Sequence, residues 1–195
     1  MAYFPAFIRF DDKKILLIGG GNIALEKLEK LLDFTSEIKV IATRFNEETQ
    51  SIIQTHQLSY EEKKYEERDI EGFDIVIAAV DDFDLQEEIF KQTRGKNILC
   101  NCVDLQKYCD FIFPSYIKRD DLTIAVSTSG ASPAMAKQLR IFLSQLIPDS
   151  IGTFLEQMKH YRKTMPKGKE RMQFLDKKAQ EYIQTWGKKH EEKTD

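Results

Sequence analysis

The sequence predicts an α/β protein: a parallel sheet covered by helices, followed by a β-hairpin and a run of further helices. Three observations carry that prediction. An apolar run meets three consecutive glycines and then an amphipathic pattern between Lys13 and Leu32. Strand-length apolar runs then alternate with helical segments as far as Val103, the signature of βαβ units. Beyond Val103 the alternation stops, and two β-like segments are followed by helical patterns alone.

Residues 1–12 are short and aromatic, with Tyr3, Phe4, Phe7 and Phe10, and are expected to pack as an arm against the sheet. Lys14 to Ile18 reads as the first, buried strand. Gly19, Gly20 and Gly21 follow, and Ile23, Ala24, Leu28, Leu31 and Leu32 then recur at helical steps. A buried strand running through a glycine turn into a helix opens a Rossmann-type dinucleotide-binding unit. Gly19 would make the turn and Gly21 would let the backbone approach a pyrophosphate. Ala24 stands at the third, helix-packing position. The helix start offers unpaired N–H groups and partial positive charge to phosphates. A triple glycine also serves as a plain strand-to-helix turn; the flanking strand and helix favour the dinucleotide reading.

Ile38 to Ala42 is the second strand. This fold usually places a carboxylate about twenty residues after the glycines to bind ribose hydroxyls. Here the strand ends Ala42-Thr43-Arg44 instead. Thr43 can hydrogen-bond a ribose, and Arg44 suits a 2′-phosphate or the face of adenine, so NAD and NADP both stay open. Asn46 to His56 reads as a helix and Leu58 to Tyr65 as a peripheral strand. Phe73 to Val80 is apolar throughout, as a central parallel strand should be. Asp81 or Asp82 caps the helix Phe83 to Thr93, Gly95 stops it, and Asn97 to Val103 is the next strand.

Phe111 to Ile117 and Leu122 to Ser127 form a hairpin across Arg119, Asp120 and Asp121. A small polar loop, Thr128 to Ala131, leads to Ser132 as N-cap and Pro133 as first residue of a helix reaching about Ile147. Two more helices are expected, Ile151 to Thr164 and Lys169 to Lys188, with a frayed tail at 190–195.

The chain's 195 residues carry 29 Lys+Arg against 32 Asp+Glu, a net charge of −3. That balance argues against a general nucleic-acid binder. No apolar run is long enough to span a bilayer, and the N-terminus lacks a signal-peptide pattern, so a cytoplasmic location is expected. Cys100, Cys102 and Cys109 do not suggest a disulfide framework. Cys100 and Cys102 share one strand face; no second ligand pair has zinc-like spacing, which favours two core thiols and no metal site. His56, His160 and His190 are scattered and read as surface residues.

Ligands of open α/β sheets lie beyond the carboxyl ends of the strands. The glycine loop, Thr43-Arg44, the Asp81 turn and Asp104 all fall there. Asp104 follows an apolar strand directly, where a carboxylate can accept a proton, orient a substrate N–H or simply cap a turn. Thr128 and Ser129 precede a helix start, a place for a substrate carboxylate or for ordinary capping. Lys137 and Arg140 suit steering of an acidic ligand, or a solvated helix face.

Several motifs together resemble one family: FPAF (Phe4 to Phe7), ILLIGGGNIALEK (Ile15 to Lys27), IVIAAVDD (Ile75 to Asp82), CNCVD (Cys100 to Asp104), FIFPS (Phe111 to Ser115) and AVSTSGASPAMAKQLR (Ala125 to Arg140). In this order they resemble the precorrin-2 dehydrogenases of sirohaem synthesis, over about residues 1 to 160. The resemblance implies NAD-dependent oxidation of precorrin-2 to sirohydrochlorin by a homodimer, with NAD chosen over NADP. It implies an NAD-binding domain at 1–113, a dimerisation segment at 114–147 and a C-terminal helical domain at 148–195. Asn22 and Ile23 match pyrophosphate-side contacts, Thr43 and Arg44 match ribose and adenine contacts, and Asp104 matches the catalytic carboxylate. Thr128 stands where multifunctional members often carry Ser. Some relatives also insert iron into sirohydrochlorin, which leaves a chelatase activity as an alternative, beside a non-catalytic NAD-sensing module. Methylation of the tetrapyrrole is expected from another protein.

Overall fold

A computed structural model describes residues 3–186, which divide into two compact units between Ile112 and Phe113. The first unit holds a five-stranded parallel sheet: β1 (Ile15–Ile18), β2 (Ile38–Ala42), β3 (Ser59–Glu62), β4 (Ile75–Ala78) and β5 (Leu99–Cys102), in the order β3-β2-β1-β4-β5. Its helices are α1 (Asn22–Leu32), α2 (Glu47–Thr55) and α3 (Phe83–Thr93).

β1 pairs with β2 on one side and β4 on the other, and every residue of β1 and β4 is buried. A strand covered on both faces has no polar side to show, which is why these runs are apolar without alternation. Each such Leu or Ile contributes about 1.5–3 kcal/mol by leaving water. The pleat sorts the faces. Leu16, Ile18, Val76, Ala78, Cys100 and Cys102 meet Ile89 of α3 in one cluster. Ile15, Leu17, Val40, Ile75 and Ile77 point to the opposite face, where the buried stripe of α1 is Ala24, Leu28 and Leu31.

The sheet's two borders differ. β3 is exposed at all four positions and ends in Glu61 and Glu62. Beside β5, an isolated bridge joins Asn101 to Cys109, and the Asp110 carboxylate accepts a hydrogen bond from Cys100 N (2.8 Å) and two from Arg94 (2.6 and 2.8 Å).

The second unit opens with the antiparallel hairpin β6 (Ser115–Arg119) and β7 (Leu122–Val126), followed by α4 (Pro133–Leu146), α5 (Ile151–Thr164) and α6 (Lys169–Gln184). Ile117, Ile147 and Ile151 form its core, with Phe154 and Tyr182 stacked at 4.0 Å beside them. Arg119 donates to the carbonyls of Ser144 and Ile147, closing the end of α4 that a helix leaves unsatisfied.

Three expectations need correction. The aromatic arm is only partly packed: Phe4 and Phe7 are 88% and 76% exposed, while Tyr3 and Phe10 are half-buried and Phe10 meets Phe34 edge-on. Helices already cover the sheet's faces, and Pro5 has no N–H with which to join an edge. The first hairpin strand begins at Ser115, not Phe111, because Pro114 cannot donate to a ladder. Helix α6 ends at Gln184 rather than Lys188, with Thr185 and Trp186 in a turn, while residues 187–188, the tail at 190–195 and His190 lie outside the described residues.

Candidate functional site

The three glycines do different work. Gly19 has φ +135°, and a Cβ there would lie 2.2 Å from the Ala79 carbonyl oxygen. Only a residue without a side chain lets the turn after β1 press against the end of β4. A Cβ on Gly20 would lie 2.3 Å from the Arg44 carbonyl oxygen, against the turn after β2. A Cβ on Gly21 would meet nothing within 4 Å. Gly21 therefore owes its place to no protein neighbour; the space beside it is open.

Gly21 is also the N-cap of α1, with no side chain bonding the helix's first N–H groups and no acidic residue in the first turn. By contrast, the other two helices of the first unit, α2 and α3, are each capped, by Asn46 to Thr49 N and Asp82 to Leu85 N. An uncapped helix start beside open space fits a pyrophosphate, whose oxygens would take up those N–H groups.

That space is a cavity of about 810 Å³ at the carboxyl ends of β1, β2 and β4. It lies where the strand order reverses around β1, the switch point at which such sheets hold ligands. Gly19, Gly21, Asn22, Ile23, Thr43, Arg44 and Asp81 all line it. Since Asp82 is the residue that caps α3, Asp81 is left facing the cavity.

Asn46, Lys63 and Tyr65 also line the cavity and were not marked in the sequence. Asn46 joins the two turns: its N–H donates to Gly20 O (2.9 Å) and its Nδ2 to Asn22 Oδ1 (2.8 Å). Lys63 follows β3, its N–H donates to Ala42 O (2.8 Å), and its ammonium pairs with Asp69 (2.7 Å). That hydrogen bond holds the Lys63 ammonium above its ordinary pKa. Tyr65 donates to Gln92 Oε1 at 2.5 Å, and burial pushes its phenol well up. The available signal was position: both residues follow a strand's carboxyl end, on the strand read as peripheral.

Asp104 sits at the turn after β5, exposed, and is not among the residues lining the cavity. Lys27 of α1 is within its electrostatic reach. Burial lowers the Lys27 pKa, and the negative charges of Glu26 and Asp104 act against that. In the second unit, Thr128 Oγ1 accepts the Ser132 N–H (3.0 Å), fixing the approach to α4. Ser129 and Lys137 are exposed, and Ser129 has φ +51°.

The Cys100 and Cys102 sulfurs lie 3.8 Å apart inside the core, and Cys102 donates to Gln86 O. The contact with Cys100 and burial push the Cys102 thiol up, so it stays protonated at neutral pH. Among the described residues no group of three or more His, Cys, Asp or Glu is placed to hold a metal. Nor is any described helix long and apolar enough to cross a membrane.

Residues 6–115 match the family described as "Putative NAD(P)-binding", and residues 119–144 match the family described as "Sirohaem biosynthesis protein central". The chain belongs to this NAD(P)-binding family. Among curated proteins it is similar to the siroheme synthase of Mannheimia succiniciproducens, 35% identical over 80% of this chain and 33% of that protein. The siroheme synthase of Nitrosococcus oceani is 34% identical over 83% of this chain and 35% of its own length. Siroheme synthase 1 of Serratia proteamaculans is 32% identical over 96% and 39%. The chain thus spans a little over a third of its curated relatives at most. Among solved structures it shares its fold with "SirC, precorrin-2 dehydrogenase", at TM-score 0.77 and 22% identity, covering 95% of this chain and 100% of that one.

Proposed function

We propose that this protein oxidises precorrin-2 to sirohydrochlorin with NAD, in the cytoplasm, as a homodimer. The observation that carries the reading is the uncapped start of α1 with open space at Gly21, in a chain whose next segment matches a sirohaem-biosynthesis family. The chemistry NAD supplies when bound is acceptance of a hydride. The chain's residues do the rest. The N–H groups at Gly21, Asn22 and Ile23 would hold the pyrophosphate, and Thr43 and Arg44 the adenosine half. Gln86 Nε2 donates to Val80 O (2.7 Å), which holds the turn beside Asp81 in place.

Asp104 would accept the proton released as the tetrapyrrole loses its hydride. Precorrin-2 carries eight carboxylates, for which Thr128, Ser129 and Lys137 are the proposed contacts in the second unit. The proposed organisation is an NAD-binding domain at 1–113, a dimerisation segment at 114–147 and a helical domain at 148–195.

The test is anaerobic incubation with precorrin-2 and NAD. NADH formation together with the sirohydrochlorin spectrum is expected. Asp104→Asn is expected to keep NAD affinity and lose about 10²- to 10⁴-fold in turnover, the usual worth of a positioned acid or base. NAD binding without turnover in the unaltered protein would replace the enzyme with a sensing module. Near-normal turnover in Asp104→Asn would remove its catalytic role.

A further inference from the structure

We infer that Asp69 sets the choice between NAD and NADP, by holding the Lys63 ammonium in a carboxylate cluster at the adenosine end of the cavity. The inference rests on the dinucleotide site proposed above. On this fold the ribose hydroxyls lie at the end of β2, here Thr43 and Arg44, where a 2′-phosphate would also fall. Lys63 stands next to that point. β3 pairs with β2 through Glu62 opposite Ala42, and the Lys63 N–H bonds Ala42 O. A lysine lining the cavity there would be the natural partner of a phosphate dianion.

Its charge is already committed. Lys63 Nζ lies 2.7 Å from Asp69 Oδ1, 3.8 Å from Glu61 Oε2 and 3.9 Å from Glu66 Oε2. Glu61 is shared with Lys39 at 2.5 Å and Glu66 with Arg68 at 2.8 Å, so cations and anions alternate through the cluster. Asp69 is the fixed member. Its side chain is 8% exposed, against 46% and 54% for Glu61 and Glu66. Its second oxygen, Oδ2, accepts the Glu66 N–H at 2.8 Å, so it cannot swing away with the lysine. A 2′-phosphate would have to draw Lys63 from this clamp and then face three carboxylates. NAD, with a neutral ribose hydroxyl, asks for neither.

The experiment is calorimetric binding of NAD and of NADP to the whole chain, without substrate. Asp69→Asn keeps an oxygen to accept the Glu66 N–H while removing the charge. It is expected to tighten NADP binding about tenfold and change NAD binding less than twofold. Adding Lys63→Met should abolish that gain, and Asp69→Glu should restore the original preference. An unchanged ratio in Asp69→Asn overturns the inference, as does a gain in NADP binding that survives the added Lys63→Met. Absence of binding by either dinucleotide to the unaltered protein would instead sink the cofactor site itself, and both readings with it.

Discussion

Gly21 and Gly19 stand two residues apart and are indispensable for opposite reasons. Gly19 answers to the protein, since its φ of +135° and the nearby Ala79 carbonyl leave no room for a side chain. Gly21 answers only to what enters the cavity. Gly21→Val is therefore expected to fold with a melting temperature close to that of the unaltered chain and to lose at least 100-fold in NAD affinity, checked by thermal melts and calorimetry. Retained affinity would show that the dinucleotide does not approach the start of α1. Residues of this kind were legible in the sequence, because a glycine's identity encodes backbone room and its neighbours give the strand and helix around it. Asn46, Lys63 and Asp69 were not. Their roles come from the pairing of β2 with β3 and the touching of two turns, contacts that no local spacing records.

Among the elements, the border at β5 carries the clearest charge dependence. Burial alone would raise the pKa of the Asp110 carboxyl, but hydrogen bonds from Arg94 and the Cys100 N–H hold it below its usual value. A carboxylate with a lowered folded pKa contributes stability that is complete above the unfolded value, about 3.9, and is lost as pH falls through the folded one. Asp110→Asn is thus expected to cost about 1 kcal/mol at pH 7, a figure kept small because Arg94 is 42% exposed to screening solvent. The difference should shrink towards zero below about pH 4, measured by urea unfolding across that range. A penalty independent of pH would mean that Asp110 acts through shape alone. Element type was readable along most of the chain: α3 and α4 follow the Asp and Ser expected to cap them. Strand ends were not, and β4 and β5 are each shorter than the apolar runs that predict them, since hydrophobicity continues past the point where pairing stops.

For the whole molecule, the passage from alternating strands and helices to a hairpin and helices was legible because parallel strands need a crossover and a hairpin does not. The partner of α4 was not. Ala136 is its one buried residue, while Met135 and Phe142 are 52% and 56% exposed. A helix with apolar residues facing water is the surface we assign to the proposed dimer. Sedimentation is expected to give twice the chain's mass for the unaltered protein and the single mass for Phe142→Glu, with helical content unchanged. A Phe142→Glu dimer would move the interface elsewhere.

The fenced rims of the parallel sheet bear on how copies of this chain coexist at high concentration. One rim presents Glu61 and Glu62 to any approaching backbone, and the other is occupied at Asn101 by its bridge to Cys109. Both features discourage a neighbour's strand from extending the ladder, which lowers the hazard of fibrous stacking through the sheet under crowding.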